Sequence, residues 1–306
     1  MSIRPLDLLD LPLIARHRND VLTLDSARAL TRGHPLGALG LLSYINPARH
    51  VYAAISNGGD SALLGGVIHT RGDTFARLLY LAPASRLNDP DLPVLIEHLS
   101  AQAGEWQAFH VNAEVEETSD VFPALRQAGF SVYAWQRMWE VSRIAKSGSA
   151  AVSGWRRMQF VDLPAVQSLH YQIVPPLLHA VEPAPNRVIG FVHGHGTKSY
   201  ASVTAGIFGI VLTPLVHPEE EHVSAKLSAL LDGLPDRRGR RVYINVRSYQ
   251  TWLEPVLEDL GAQSSPRHAV MVKHLTRLVK DGLPARAVPS SVSVQPSRIS
   301  RMKVKE

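Results

Sequence analysis

The sequence predicts an α/β (α+β) fold built twice. The expectation is two tandem domains, each a mixed, mostly antiparallel sheet with helices on both faces. Three observations lead there. The stretch LDLLDLPLIARH (6–17) is echoed by QFVDLPAVQSLH (159–170). The same order of apolar runs and amphipathic stretches follows each of them. Between the halves, SRIAKSGSAAVSG (142–154) is small, polar and without apolar periodicity, which is the composition of a linker.

Each element has its own reason. In both echoes an apolar strand end meets DLP and then apolar residues at helical spacing. Asp10 and Asp162 stand where N-caps belong, with a proline in the first turn after each. The runs ARLLYLAP (76–83) and IFGIVLTP (207–214) read as central strands, followed by helices over 91–105 and 219–234. Strands AFHVNAEV (108–115) and RVYINVRS (241–248) come next, so each intervening helix makes a parallel crossover. DVFPALRQAGF (120–130) and TWLEPVLEDLGA (251–262) read as helices ending at Gly129 and Gly261. SVYAWQRMWEV (131–141) and RHAVMVKHL (267–275) close the two halves as strands. Common α/β patterning without a true repeat is the competing explanation. The resulting division is 1–141, a linker over 142–154, a second domain over 155–280, and a flexible basic tail over 281–306.

At 306 residues the chain has room for about two domains of roughly 150 residues. A hydrophobic share of 45% beside 19% charged residues is a soluble globular balance, and no apolar run reaches the ~20 residues of a membrane span. Asp7 and Asp10 interrupt the N-terminal apolar stretch, so no signal-peptide core is present and the cytoplasm is the expected compartment. With no cysteine, disulfides, thiolate nucleophiles and cysteine-based zinc sites are excluded. The net charge of +5 favours anionic partners such as nucleotides or CoA. Much of the excess lies in SRISRMKVKE (297–306), which weighs against a nucleic-acid surface.

The element order resembles the GNAT superfamily of acyl-CoA-dependent N-acyltransferases, and the resemblance spans both halves. In that family a strand runs into V-x-P-x-x-R/Q-x-x-G-x-G/A and then into the helix that holds the CoA pyrophosphate. Here Leu81-Ala82-Pro83 is followed by Arg86, with Asp89 and Asp91 where the glycines would stand. The second half has Leu212-Thr213-Pro214, then His217, Glu220 and His222. The strands VNAEV and INVRS match a second family feature, and LRQAGF matches its helix end. The tyrosine that serves many members as general acid is replaced by Leu125 and Leu257. The resemblance implies acetyl-CoA or another acyl-CoA as co-substrate and a small-molecule or peptide amine as acceptor, with no metal and no membrane.

A pyrophosphate binds at a helix N-terminus because unpaired N–H groups and the macrodipole meet it there, and glycines let the backbone come close. Asp89 and Asp91 compete for those N–H groups and repel the anion, and Pro90 removes a donor. Pro218 and Glu219, Glu220 and Glu221 do the same in the second half. Ordinary helix-start signals explain these residues equally well. By the resemblance, backbone groups around Leu79 and Leu81 would hold the pantetheine arm, and Arg86 would take the phosphates. The first half is the better catalytic candidate, since it keeps Arg86 and the AGF ending.

Glu114 and Glu116 share one face of a strand. Lining a cleft, either would be a general base; facing solvent, both are surface charges. His193 and His195 are two apart in GFVHGHGTK, too few for a metal centre, and GHGTK lacks phosphate-loop spacing. DRRGRR (236–241) reads as a solvated loop, and Trp135 and Trp139 as packing residues on one strand face. Two functions follow: an N-acyltransferase with an atypical CoA site, or an inactive scaffold of the same fold that binds a ligand or a protein.

Overall fold

In the computed structural model, residues 2–37, 47–56, 62–141, 154–194, 197–235 and 237–275 are described. The first half contains β1 (Ile3–Pro5), α1 (Leu11–His17), β2 (Leu22–Thr23), α2 (Ser26–Arg32), β3 (Arg49–Ser56), β4 (Leu64–Thr70), β5 (Phe75–Ala82), α3 (Leu92–Glu105), β6 (His110–Glu116), α4 (Val121–Gln127) and β7 (Ser131–Glu140). The second contains β8 (Trp155–Arg157), α5 (Leu163–Ile173), β9 (Phe191–His193), β10 (Ser199–Ala205), β11 (Gly209–Val216), α6 (Val223–Asp232), β12 (Arg241–Arg247), α7 (Leu253–Asp259), β13 (Gln263–Ser264) and β14 (His268–His274). The expected linker lies outside the described residues except for Gly154, and so does the tail from 281. Among the described residues no helix is long and apolar enough to cross a membrane.

The repeat extends to side-chain chemistry. The Arg4 guanidinium donates to both carboxylate oxygens of Asp10 at 2.6 Å, and Arg156 does the same to Asp162. Asp10 and Asp162 were expected to cap helices. Each occupies the N-cap position but makes no side-chain cap bond there, because the carboxylate faces the strand arginine instead. The Arg4 hydrogen bonds hold the Asp10 carboxyl below the usual carboxylate range. Gly129 and Gly261 end their helices with φ of +86° and +80°, as the glycine stop signals predict. The helix of the second half starts at Val223, after the three glutamates rather than among them.

The sheet order is β1-β3-β4-β5-β6-β14-β7-β12-β11-β10-β9-β8, one continuous sheet across both halves. The parallel pairs are β5–β6 and β11–β12, each joined by a helical crossover; the others are antiparallel. At the centre the halves exchange their last strands. β14 pairs with β6 of the first half, while β7 pairs with β12 of the second.

The cores record the exchange. Ala269 and Met271 of β14 are fully buried with Val111, Ala113 and Leu125 of the first half. Trp139 and Val141, at the end of the first half, are buried with Ile244, Val246 and Leu257 of the second. Burying one such large apolar side chain stabilises by about 1.5–3 kcal/mol, so each core depends on the other half's strand. Helix α2 crosses over as well: Ala27 and Leu30 pack on Met138, Val211 and Tyr243.

Candidate functional site

Parallel strands that part leave backbone groups facing an open gap at their carboxyl ends, the usual ligand position in α/β sheets. Two such gaps exist. β5 and β6 pair only from Phe75–Arg77 opposite His110–Asn112, and β11 and β12 only from Gly209–Leu212 opposite Arg241–Ile244.

The first gap is filled by the chain itself. β2 lies antiparallel along β5, with Leu22 opposite Leu81 and Thr23 opposite Tyr80. The Leu24 amide donates to the Leu79 carbonyl at 2.9 Å, and the Glu114 amide donates to the Leu24 carbonyl at 2.9 Å. Residues 22–24 therefore bridge the parted strands as an extra strand. The turn beyond β5 is occupied too. The Ala84 amide donates to the Asp20 carbonyl at 3.0 Å, and the Ser85 amide and hydroxyl donate to the Asp20 carboxylate at 3.0 and 2.6 Å. Asp20 thus stands where an anion would meet that turn.

The residues singled out in the first half are accordingly engaged. Leu81 pairs with Leu22 of β2, the Leu79 carbonyl accepts from Leu24, and Arg86 is ion-paired with Asp89. Asp89 also accepts from the Asp91 amide at 2.9 Å. Glu114 and Glu116 do share a face of β6, alternating with buried Val111, Ala113 and Val115. Glu114 accepts from the Ser26 amide at 2.9 Å at the start of α2, and Glu116 from the Thr118 hydroxyl at 3.1 Å.

The second gap is spanned by one side chain. Gln250, which is 1% exposed, donates to the Pro214 carbonyl and accepts from the Val216 amide, both at 2.9 Å. Its carboxamide offers the same hydrogen-bonding pair as the amide of a pantetheine arm. Helix α6 beyond it has no side-chain cap. Burial would raise the Glu220 carboxyl, but its bonds to Lys226 and Ser199 outweigh this and hold it below the usual range. Glu219 and Glu221 remain exposed beside that helix start.

A cavity of about 290 Å³ opens at the mouth of the second gap, bounded by Thr213, Pro214 and Leu215 of β11. Both halves line it with polar groups: Arg77, Asn112 and Tyr133 from the first, Glu182, Arg247 and Tyr249 from the second. Glu182 anchors the cluster. It accepts from the Tyr249 hydroxyl at 2.6 Å, and its other oxygen lies 3.3 Å from Arg247 Nε. His170 of α5 holds the Glu182 backbone carbonyl at 3.0 Å. Burial and the Glu182 charge push the Tyr249 hydroxyl well above its ordinary value, so it stays protonated. Burial opposes the charge on Arg247, but Glu182 and the two tyrosines outweigh it and keep the guanidinium charged. Three polar atoms of this cluster, Arg247 Nη1, Glu182 Oε1 and Asn112 Oδ1, are shut off from solvent and make no hydrogen bond.

Sequence reasoning missed this group. One signal was available: Asn112 and Asn245, and Glu114 and Arg247, hold matching places in VNAEV and INVRS, so Arg247 shares its strand face with Asn245. Nothing in the sequence marks Glu182, whose place comes from the segment after α5. The remaining candidates lie elsewhere. His193 packs edge-on against Trp155, and His195 is outside the described residues. Among the described residues no group of three histidines or carboxylates could hold a metal. Arg240 of the DRRGRR loop donates to the Gly206 carbonyl at 2.8 Å, tying down the β10–β11 hairpin. Trp139 is buried, and Trp135 packs on the first core under the Arg267 guanidinium, 4.1 Å from its ring.

No family model matches the chain, and no curated protein matches it in sequence. Solved structures do match in fold. A GCN5-related N-acetyltransferase from Sphaerobacter thermophilus is similar at 14% identity and a TM-score of 0.54, over 89% of this chain and 95% of that one. A tandem GNAT protein from the clavulanic acid biosynthesis pathway is similar at 16% identity and a TM-score of 0.50, over 89% and 98%. The chain therefore has the tandem GNAT fold that its sequence resembles.

Proposed function

We propose that the chain is an N-acyltransferase that moves an acyl group from acyl-CoA to a small amine, and that only its second half takes the donor. One observation carries this reading, the asymmetry of the two gaps. Residues 20–24 fill the first from end to end, whereas a single carboxamide spans the second. The polar cavity opens at the second. The first half was favoured from sequence because it keeps Arg86 and the AGF ending, but Arg86 is ion-paired with Asp89 and stands beside an occupied turn.

The donor, when bound, supplies the thioester, and displacement of Gln250 frees the Pro214 carbonyl and Val216 amide to hold its arm. The amine nitrogen forms a bond to the thioester carbon, the carbon–sulfur bond breaks, and the amine's proton passes to a base. Glu182 is the carboxylate placed for that role in the cavity, ahead of Glu114 and Glu116, which serve α2 and Thr118. Tyr249, one residue from Gln250 and lining the cavity, is the hydroxyl assigned to protonate the leaving thiolate. Arg247 and Tyr133 orient Glu182.

The rival reading is a ligand-binding scaffold without chemistry. It is favoured by the exposed Glu219 and Glu221 at the start of α6, which repel a pyrophosphate. Calorimetric titration with acetyl-CoA separates the two. Acyl transfer requires binding in the micromolar to millimolar range, made roughly tenfold tighter in Gln250→Ala, since a net hydrogen bond contributes about 0.5–1.5 kcal/mol. Absence of binding in both proteins at millimolar acetyl-CoA would leave the scaffold.

A further inference from the structure

The cavity between the halves presents open donors and open acceptors together. The Arg247 guanidinium stands 3.3 Å from Glu182 through Nε, and its Nη1 is buried without a hydrogen bond. A buried guanidinium N–H without an acceptor costs more than an ordinary unmade bond, and a carboxylate matches its planar fork. Arg77 lines the same space, stacked on Phe75 at 4.6 Å, and its nearest carboxylate is Asp25 at 4.0 Å.

Positive charge is in surplus around Arg77. Arg28 is held down to about 10, by burial first and then by repulsion from Arg32, Arg49 and Arg77, against the attraction of Asp25. On the neighbouring strand, opposite Arg77, the Asn112 carboxamide oxygen is buried without a donor, on the same strand face as Glu114. Open acceptor oxygens on Asn112 and Glu182 suit an amine.

We infer that this cavity binds a small amine that also carries a carboxylate, an amino-acid-like ligand, with its carboxylate on Arg247 and Arg77 and its nitrogen toward Asn112 and Glu182. Calling that ligand the acyl acceptor rests on the function proposed above; the binding itself does not. The volume of about 290 Å³ admits a single amino acid.

The test is ligand-observed NMR and calorimetry on the full chain without acyl-CoA. The panel holds amino acids, the amines left by removing their carboxylate, and carboxylic acids lacking the amine. The expected result is binding of one or more amino acids, at least tenfold weaker binding of both stripped series, and a tenfold or greater loss in Arg77→Ala. Arg77 is partly exposed, so that variant keeps its melting temperature; Asn112→Asp, which keeps an acceptor oxygen there, retains binding. Equal binding of the carboxylate-free amines, equal binding of the amine-free acids, or no binding across the panel at millimolar concentration overturns the inference. Amino-acid binding without any acyl transfer would remove the proposed function and leave this inference standing. Transfer only to amines without a carboxylate would do the reverse.

Discussion

The Leu24 amide donates to the Leu79 carbonyl at 2.9 Å, and the Leu24 carbonyl accepts from Glu114, so one residue of the first thirty joins two parallel strands that have parted. The same office in the second half falls to the side chain of Gln250. One gap is closed by backbone and the other by a carboxamide, and this difference underlies the first two predictions.

Asp20→Ala removes the acceptor for the Ser85 amide and hydroxyl. The expected outcome is a loss of about 1–2 kcal/mol in urea unfolding, with acetyl-CoA affinity unchanged. A gain of acetyl-CoA binding in this variant would show that the first gap takes the donor after all.

Gln250→Glu keeps the size of the side chain but removes the donor to the Pro214 carbonyl. Two buried polar groups then face each other unpaired, at an expected cost of about 1–3 kcal/mol in chemical denaturation. A variant as stable as the parent would mean that the carboxamide pair contributes little to closing the gap.

The strand exchange makes the halves depend on each other. Trp139→Ala, in a first-half strand, is expected to destabilise by about 3–5 kcal/mol and to shift one common transition rather than split it. Calorimetry showing two separate transitions, only one of them moved, would contradict this coupling. A fragment ending at residue 141 lacks the strand that covers Val111 and Ala113 and is expected to lack a cooperative transition.

Acid sensitivity should include a contribution from His110. Burial, then the neighbouring His274, holds its folded value down to about 4, against 6.5 in the unfolded chain. The unfolded state binds the proton first, so stability falls as pH drops from about 6.5 toward 4. His110→Phe, which preserves stacking on Phe75, should flatten that part of the curve. Melting temperatures of both proteins between pH 7 and 4.5 measure it; parallel curves would assign the loss to other groups.

The sequence by itself determined the repeat, the two crossovers and the helix stops at Gly129 and Gly261. These follow from periodicity, from glycine's tolerance of positive φ and from the proline–aspartate signals, all of which act within a few residues. It also fixed which strand residues share a face, so Glu114 and Glu116 were correctly paired. Periodicity is silent on which strand lies beside which. Both last strands are apolar and of similar length, and either core accepts either strand by local pattern alone, so only tertiary packing decided that β14 joins β6 and β7 joins β12. The candidate site was invisible for the same reason. Leu79 and Leu81 offer backbone groups whatever their side chains, and only the fold shows Leu22 and Leu24 already bound there. Glu182, Arg247, Tyr133 and Asn112 are far apart along the chain, and their proximity exists only because the exchanged strands bring the two halves face to face.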